Sequence, residues 1–148
     1  MPAAPHRTAA PYRLLVVDSE RTILDLLGEV LAEEGACATL VADLPAALAA
    51  LDRERFDVIL ADTLDRRTSA VAFDRWATLE AVKARAHTTP VLIFSAHAVA
   101  AFAEAQERGF AGFIAKPFDL DVLAETLRIC AESTRRTYQR TDSTLAPT

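Results

Sequence analysis

The chain has 148 residues, of which 51% are hydrophobic and 25% are charged, and its formal net charge is −5. This length suits one compact domain with its own core and is too short for two ordinary domains. The acidic balance argues against nucleic-acid binding, because neutralising phosphates requires Lys and Arg clustered on one face. We therefore predict a single folded domain that does not bind nucleic acid.

The two ends of the chain look different from its middle. Residues 1–12 are rich in Pro and Ala and lack the apolar run of a signal peptide. The one basic cluster, at Arg135, Arg136 and Arg140, is interpreted as a solvated helix end. We predict a disordered segment at 1–12, a domain at 13–132 and a flexible tail at 133–148.

Cysteine usage and hydropathy indicate a cytoplasmic protein that makes no contact with a membrane. Cys37 and Cys130 lack the CxxC spacing of a redox or zinc site, so both are predicted to be small core residues. No stretch approaches the roughly 20 apolar residues of a membrane span.

The first predicted strand is the apolar run at 14–17, which ends before Asp18. An amphipathic helix is predicted at 21–34, because its apolar residues recur at spacings of three and four and Gly35 follows as a stop. The cycle repeats with a strand at 37–41 and a helix at 45–53, which has Pro45 in its first turn.

The second half continues the alternation of strand and helix. The apolar strand at 56–61 ends at Asp62, and a third helix packs through Phe73, Trp76 and Leu79. The elements predicted after it are a strand at 91–94, a helix at 99–108, a strand at 112–115 and a last helix from the N-cap Asp119.

Five apolar strands alternating with five helices predict an α/β fold. Strands that are apolar throughout are typical of a parallel sheet covered by helices on both faces. We predict a doubly wound, five-stranded, flavodoxin-like (βα)5 sheet. Its functional site is expected beyond the carboxyl ends of the strands.

The residues predicted at those strand ends are chemically distinctive. They are Asp18 and Ser19 after the first strand, Asp62 after the third, Ser95 after the fourth and Lys116 after the fifth. The first turn has no glycine, which disfavours a nucleotide site. Two carboxylates suit a hard cation such as Mg²⁺ together with phosphate oxygens.

These residues resemble the CheY-like receiver domain of bacterial two-component response regulators, over about residues 13–132. The match is carried by Leu14–Val17 before Asp18, Asp57–Ala61 before Asp62, Ser95-Ala96 after the fourth strand, and 112–118, which read Gly-Phe-Ile-Ala-Lys-Pro-Phe. The order of these segments makes the match specific.

The resemblance implies a role for each site residue. Asp62 would accept a phosphoryl group from a histidine kinase or phosphotransfer protein, and Ser95 and Lys116 would contact that group. Phe113 would be the aromatic switch, the residue that moves inward after Ser95. Asp18, Asp62 and the backbone carbonyl of Leu64 would hold Mg²⁺.

Two departures from the family pattern affect the site. Ser19 stands where the family has a second acid, so we expect Mg²⁺ to bind weakly; Glu20 is next to it, but a shift of one residue is expected to point it elsewhere. The loop at 63–69 lacks the Met-Pro and Gly turn of the family.

Structural interpretations of the same residues remain open. Asp18 or Ser19 could cap the first helix and Ser95 the fourth. Lys116-Pro117 could be a simple turn, whereas the functional interpretation adds a cis peptide. His97 is interpreted as an exposed residue at the start of a helix.

We predict a stand-alone response regulator receiver, which is a signalling domain and no enzyme beyond self-catalysed phosphoryl transfer and autodephosphorylation. It would signal to an unknown downstream protein. It could also form a homodimer through the face made by the fourth helix, the fifth strand and the fifth helix. Val99, Phe102 and Ala103 give the fourth helix more apolar surface than one core-facing stripe requires.

Two other functions are compatible with part of the pattern. A degenerate receiver would bind partners without phosphorylation, and Ser19 favours it. A metal-dependent phosphatase on a similar sheet would need a second acid two residues after Asp62, where Leu64 stands.

Overall fold

A computed structural model of the chain describes residues 11–62, 75–95 and 99–145, and describes side chains for 11–62, 76–94 and 103–136. The strands are β1 (Tyr12–Val17), β2 (Ala36–Val41), β3 (Val58–Ala61), β4 (Val91–Ser95) and β5 (Gly112–Ala115). The helices are α1 (Arg21–Glu33), α2 (Leu44–Arg53), α3 (Arg75–Ala86), α4 (Val99–Glu107) and α5 (Leu120–Leu145).

The five strands form one parallel sheet in the order β2-β1-β3-β4-β5. This confirms the predicted doubly wound α/β fold. The chain order reverses beside β1, so the carboxyl ends of β1 and β3 flank the crevice in which such sheets place their sites.

Successive side chains of the central strands point to opposite faces of the sheet, and both faces are buried. In β1, Leu14 and Val16 join a core formed with α1 and α5, whereas Leu15 and Val17 join a second core formed with α2, α3 and α4. Burial on both faces explains why the strands are apolar throughout.

Two of the helices begin at an aspartate that caps them. Asp43 caps α2 by accepting a hydrogen bond from the Ala46 N–H at 2.8 Å, and Pro45 lies in its first turn. Asp119 caps α5 by accepting from the N–H groups of Asp121 and Val122 at 2.8 and 3.1 Å. Both capping positions follow the expected side-chain preference.

Both ends of the domain extend further than the predicted boundaries. Tyr12, predicted in the terminal segment, is the first residue of β1 and is 3% exposed. Helix α5 continues to Leu145 through most of the predicted tail, because residues 133–145 contain no Gly or Pro to end an established helix. Arg135 on this extension donates to the Pro11 carbonyl at 2.6 Å.

Other predicted core residues have mixed outcomes. Leu79 is buried and Trp76 is half-buried, while Phe73 lies outside the described residues. Cys130 is half-buried but Cys37 is exposed, so the prediction of a core role for Cys37 is wrong. Cys37 belongs to the edge strand β2, beside Arg13 of β1, where one side of the strand has no neighbour.

No helix in the described ranges combines the length and apolar character needed to span a bilayer.

Candidate functional site

The predicted site residues meet at the carboxyl edge of the sheet. Val17 pairs with Ala61, so Asp18 and Asp62 follow neighbouring strands at the same level. The Asp62 N–H donates to the Val17 carbonyl at 2.8 Å and thereby extends this pairing by one residue. On the other side of β3, Ser95 ends β4 opposite Ala115 of β5.

Asp18 is the only charged side chain that is buried among those the structure describes, with no exposed surface. Its Oδ1 accepts from the Glu20 N–H at 2.8 Å and its Oδ2 from the Lys116 ammonium at 2.7 Å. A buried carboxylate is tolerated only when it is paired and hydrogen-bonded. The two bonds explain how the sheet carries an acid at this depth.

Lys116 brings the acids together. Its Nζ lies 2.7 Å from Asp18 Oδ2, 3.3 Å from Asp62 Oδ1 and 3.4 Å from Glu20 Oε1. The side chains of Lys116 and Asp62 are each 13% exposed, so they form the floor of a recess at the rim of the sheet.

The protonation of Lys116 follows from its surroundings. Burial alone would lower the pKa of Lys116, but the hydrogen bond that it donates to Asp18 and the charges of Asp62 and Asp18 outweigh it and raise the pKa above its usual value. Its Nζ also lies 4.6 Å from the centroid of the Phe94 ring, a cation–π contact. The ammonium is therefore a fixed positive charge in this recess.

The direction of Glu20 differs from the prediction. It was expected to point away from the site, yet its carboxylate reaches Lys116 while the side chain remains 62% exposed. Glu20 is the N-cap residue of α1 with extended backbone, φ −92° and ψ 112°. That backbone, held by the bond from its N–H to Asp18, turns the side chain toward β5.

The alternative that Asp18 or Ser19 caps α1 does not match the bonds observed. The N-cap position is Glu20, and no side chain bonds to the helix there. Asp18 instead holds the turn before the helix. The Lys116–Pro117 peptide bond is cis.

The remaining predicted residues are placed only in part. Ser95 ends β4 at the rim, and its side chain is outside the description, as are Leu64, the loop at 63–69 and His97. Phe113 lies in β5 beside Ile93 and is half-buried against the core formed with α2, α3 and α4.

Phe94 is a site residue that sequence reasoning missed. It is fully buried under the Lys116 ammonium and packs edge-on to Phe118, with ring centroids 5.0 Å apart. The only signal in the sequence is an aromatic residue directly before Ser95, at the end of an apolar strand. A packing role in the core explains that residue equally well.

The donor chemistry of the recess fits a hard divalent cation. Asp18 and Asp62 offer carboxylate oxygens, the ligand type that Mg²⁺ prefers. In the described part of the chain, no three His, Cys, Asp or Glu side chains are yet grouped closely enough to hold a metal. The ammonium of Lys116 lies among the carboxylates instead.

Comparison with known proteins agrees with this architecture. Residues 14–128 match the response regulator receiver domain family. The chain is 32% identical over 117 residues to the transcriptional regulatory protein TcrA of Mycobacterium tuberculosis, covering 78% of this chain and 44% of TcrA. It therefore spans less than half the length of that relative.

Solved structures show the same likeness. The receiver domain of Francisella response regulator 1452 is 25% identical, with a TM-score of 0.72 over 83% of this chain and 98% of that one. The chemotaxis response regulator CheY4 of Vibrio cholerae is 26% identical, with a TM-score of 0.67 over 82% and 99%. The chain belongs to the response regulator receiver domain family, with a CheY-like fold.

Proposed function

We propose that this receiver domain accepts a phosphoryl group on Asp62 from a histidine kinase or a phosphotransfer protein. The observation that supports it most is the pairing of Asp62 with Lys116. The Asp62 carboxylate ends the central strand β3, is 13% exposed and lies 3.3 Å from the ammonium. A nucleophile needs such partial access together with a neighbouring positive charge.

In the transfer step, a carboxylate oxygen of Asp62 attacks the phosphorus of a phosphohistidine. The new O–P bond forms as the P–N bond breaks, and the imidazole of the donor leaves with the bonding electron pair. Lys116 neutralises charge on the phosphoryl oxygens, since positioning and electrostatic stabilisation dominate this chemistry. By the family resemblance, Ser95 bonds one phosphoryl oxygen.

Asp18, Asp62 and the Leu64 carbonyl would hold Mg²⁺, which supplies further positive charge to the phosphoryl group. Ser19 contributes no carboxylate, so the proposal includes weak binding of the cation. Asp18 is firmly anchored, because both of its oxygens are hydrogen-bonded.

The signal would leave through the face made by α4, β5 and α5, with Phe113 relaying the state of Ser95. A groove of about 340 Å³ between β5 and α5 lies on this face and is lined by Phe113, Pro117 and Val122. Val122 and Ile129 on α5 are 62% and 51% exposed. This apolar surface suits a downstream protein or a second copy of the chain.

The test is intact mass spectrometry after incubation with Mg²⁺ and acetyl phosphate. Wild type and the control Asp25→Asn, which alters an exposed acid on α1, should each gain one phosphoryl group. Asp62→Asn should gain none. Phosphorylation that persists in Asp62→Asn would overturn the assignment.

The alternative is a receiver that binds partners without phosphorylation. The neutral Ser19 and the pairing of Lys116 with both site carboxylates favour it, because the charges are balanced in part without a cation. Under this alternative, wild type gains no mass with acetyl phosphate or with a phosphorylated kinase.

A further inference from the structure

The ammonium of Lys116 contacts an aromatic ring as well as the acids of the recess. We infer that Phe94 is a positioning residue, whose ring face holds the Lys116 ammonium where it meets a phosphoryl group on Asp62. Phe94 acts through Lys116 and takes no part in the bond changes. The inference rests on the proposed function, because Lys116 serves phosphoryl transfer there.

The contact between Phe94 and Lys116 is largely shielded from water. Lys116 Nζ lies over the Phe94 ring, 4.6 Å from its centroid. The ring is fully buried, and the Lys116 side chain is 13% exposed. The face of a phenyl ring carries negative charge density, and its attraction for a cation is stronger when water is excluded. The contact therefore belongs to the stronger part of the range for cation–π interactions.

The position of the Phe94 ring is fixed by its own neighbours. Phe94 pairs with Ile114 of β5 and is packed in the core formed with α1 and α5. Its ring meets that of Phe118 at 66°, with the centroids 5.0 Å apart, which is a favourable edge-on arrangement. Phe118 follows Lys116 by two residues, so the two rings join β4 to the segment that carries the ammonium.

Lys116 is held from three neighbouring strands. Asp18 follows β1 and accepts from the ammonium at 2.7 Å, Asp62 follows β3 and accepts at 3.3 Å, and Phe94 belongs to β4. The carboxylate of Asp62 is the group that reacts in the proposed transfer. The contacts with Asp18 and Phe94 do not involve the reacting atoms, so they keep the ammonium in place while its contact with Asp62 passes to the phosphoryl oxygens.

An aliphatic side chain at position 94 would fill the core without this attraction. The preceding residues of β4, Val91, Leu92 and Ile93, are buried and aliphatic, so packing in this strand does not by itself require an aromatic residue. An ammonium set against an alkyl surface loses hydration and gains no compensating attraction from that surface. The flexible four-carbon stem of a lysine would then be held less firmly.

Nuclear magnetic resonance of the full chain tests the contact directly. The chain contains two lysines, Lys83 and Lys116, so labelling lysine with ¹³C gives two ε-methylene signals. Protons over the face of a ring are shielded, so the Lys116 signal should lie upfield and Phe94→Leu should move it downfield. Lys83 Nζ lies 5.9 Å from the centroid of the Phe110 ring, which offers a matched control. Phe110→Leu should move the Lys83 signal and leave that of Lys116 unchanged.

Fluorination of the ring separates its attraction for the ammonium from its packing. Site-specific replacement of Phe94 by trifluorophenylalanine nearly keeps the shape of the ring but withdraws negative charge from its face. Phosphorylation of Asp62 by acetyl phosphate and Mg²⁺ should then slow by a factor on the order of ten, and monofluorophenylalanine should give a smaller loss. Trifluorophenylalanine in place of Phe110 should leave the rate unchanged. Thermal melting checks that each variant retains the fold.

Two results would overturn the inference: a Lys116 signal that stays in place in Phe94→Leu, or a phosphorylation rate that does not respond to fluorination at position 94. The proposed function stands in both cases, because wild type still gains its phosphoryl group. If wild type takes no phosphoryl group while Phe94→Leu moves the Lys116 signal, the proposed function is wrong and the positioning of Lys116 by Phe94 stands.

Discussion

Arg108 stacks on Trp76, with the guanidinium carbon 4.5 Å from the centroid of the ring. The guanidinium also donates to Glu104 on α4 at 2.8 Å and to Glu80 on α3 at 3.0 Å. These hydrogen bonds, that to Glu104 first, raise the pKa of Arg108 above its usual value. One side chain thus links the end of α4 to α3, on the edge of the proposed signalling face.

Arg108→Ala should expose Trp76, the only tryptophan of the chain, and shift its fluorescence emission to longer wavelength. Arg108→Lys should restore only part of the signal, because an ammonium cannot stack and bridge as a planar guanidinium does. Arg136→Ala, at an exposed position of α5, serves as the control. Unchanged emission in Arg108→Ala would show that the contact is absent in solution.

The hydroxyl of Tyr12 is buried, and among the residues that the structure describes it has no hydrogen-bond partner. Tyr12→Phe should therefore match wild type or exceed it in free energy of unfolding by up to about 1 kcal/mol, because an unsatisfied polar group is removed. Tyr12→Ala should lose about 3 kcal/mol or more through the cavity it leaves. Urea unfolding measures both. A clear loss of stability in Tyr12→Phe would reveal a partner for the hydroxyl.

The same residue predicts a pH dependence. Burial first, and then the charge of Glu34, raise the pKa of Tyr12 to about 12 from 10.0. The unfolded chain therefore loses this proton first, so stability that is complete below pH 10 should decline between about pH 10 and 12. The pKa of Lys116 is also raised in the folded protein, so this group too makes the free energy of unfolding decline as the pH rises. The difference between wild type and Tyr12→Phe isolates the tyrosine.

The sequence predicted the sheet well because apolar runs reflect burial on both faces. It placed Asp18, Asp62 and Lys116 at one edge because parallel strands end together. Tyr12 was assigned to the N-terminal segment because a single aromatic residue after a Pro-rich start shows no apolar pattern that would extend the strand to include it. The direction of Glu20 depends on a backbone turn held by Asp18, which no pattern of residue types reveals.

Lys116 is predicted to hold the fold together as well as the site. Lys116→Met should lower the free energy of unfolding by about 3 kcal/mol, because Asp18 is fully buried and loses its counter-charge. Adding Asp18→Asn should recover part of that loss, since the neutral amide no longer needs an ammonium. Urea unfolding of both single variants and the double variant forms the cycle. A double variant whose loss of stability equals the sum of the two single losses would mean that the pair is not coupled.

Ser19→Asp is expected to act in opposite directions with and without a cation. A carboxylate at position 19 adds like charge near Asp18 and Asp62, so the melting temperature of the metal-free protein should fall. Saturating Mg²⁺ should more than reverse this fall, because a ligand that binds only the folded state stabilises it in proportion to the logarithm of its concentration over Kd.

Calorimetry should give Ser19→Asp about tenfold tighter Mg²⁺ binding than wild type, whereas Ser19→Asn, of similar size but neutral, should match wild type in both measurements. Glu20 sets how large the gain can be, since its carboxylate already faces Lys116 at 3.4 Å. One contrary outcome is that Ser19→Asp leaves the Mg²⁺ affinity of wild type unchanged and raises it only when Glu20→Gln is also present. That result would mean that Glu20 replaces the missing acid in full. The weak binding predicted from Ser19 would then be wrong, because the charge of the site would have moved by one residue without being lost.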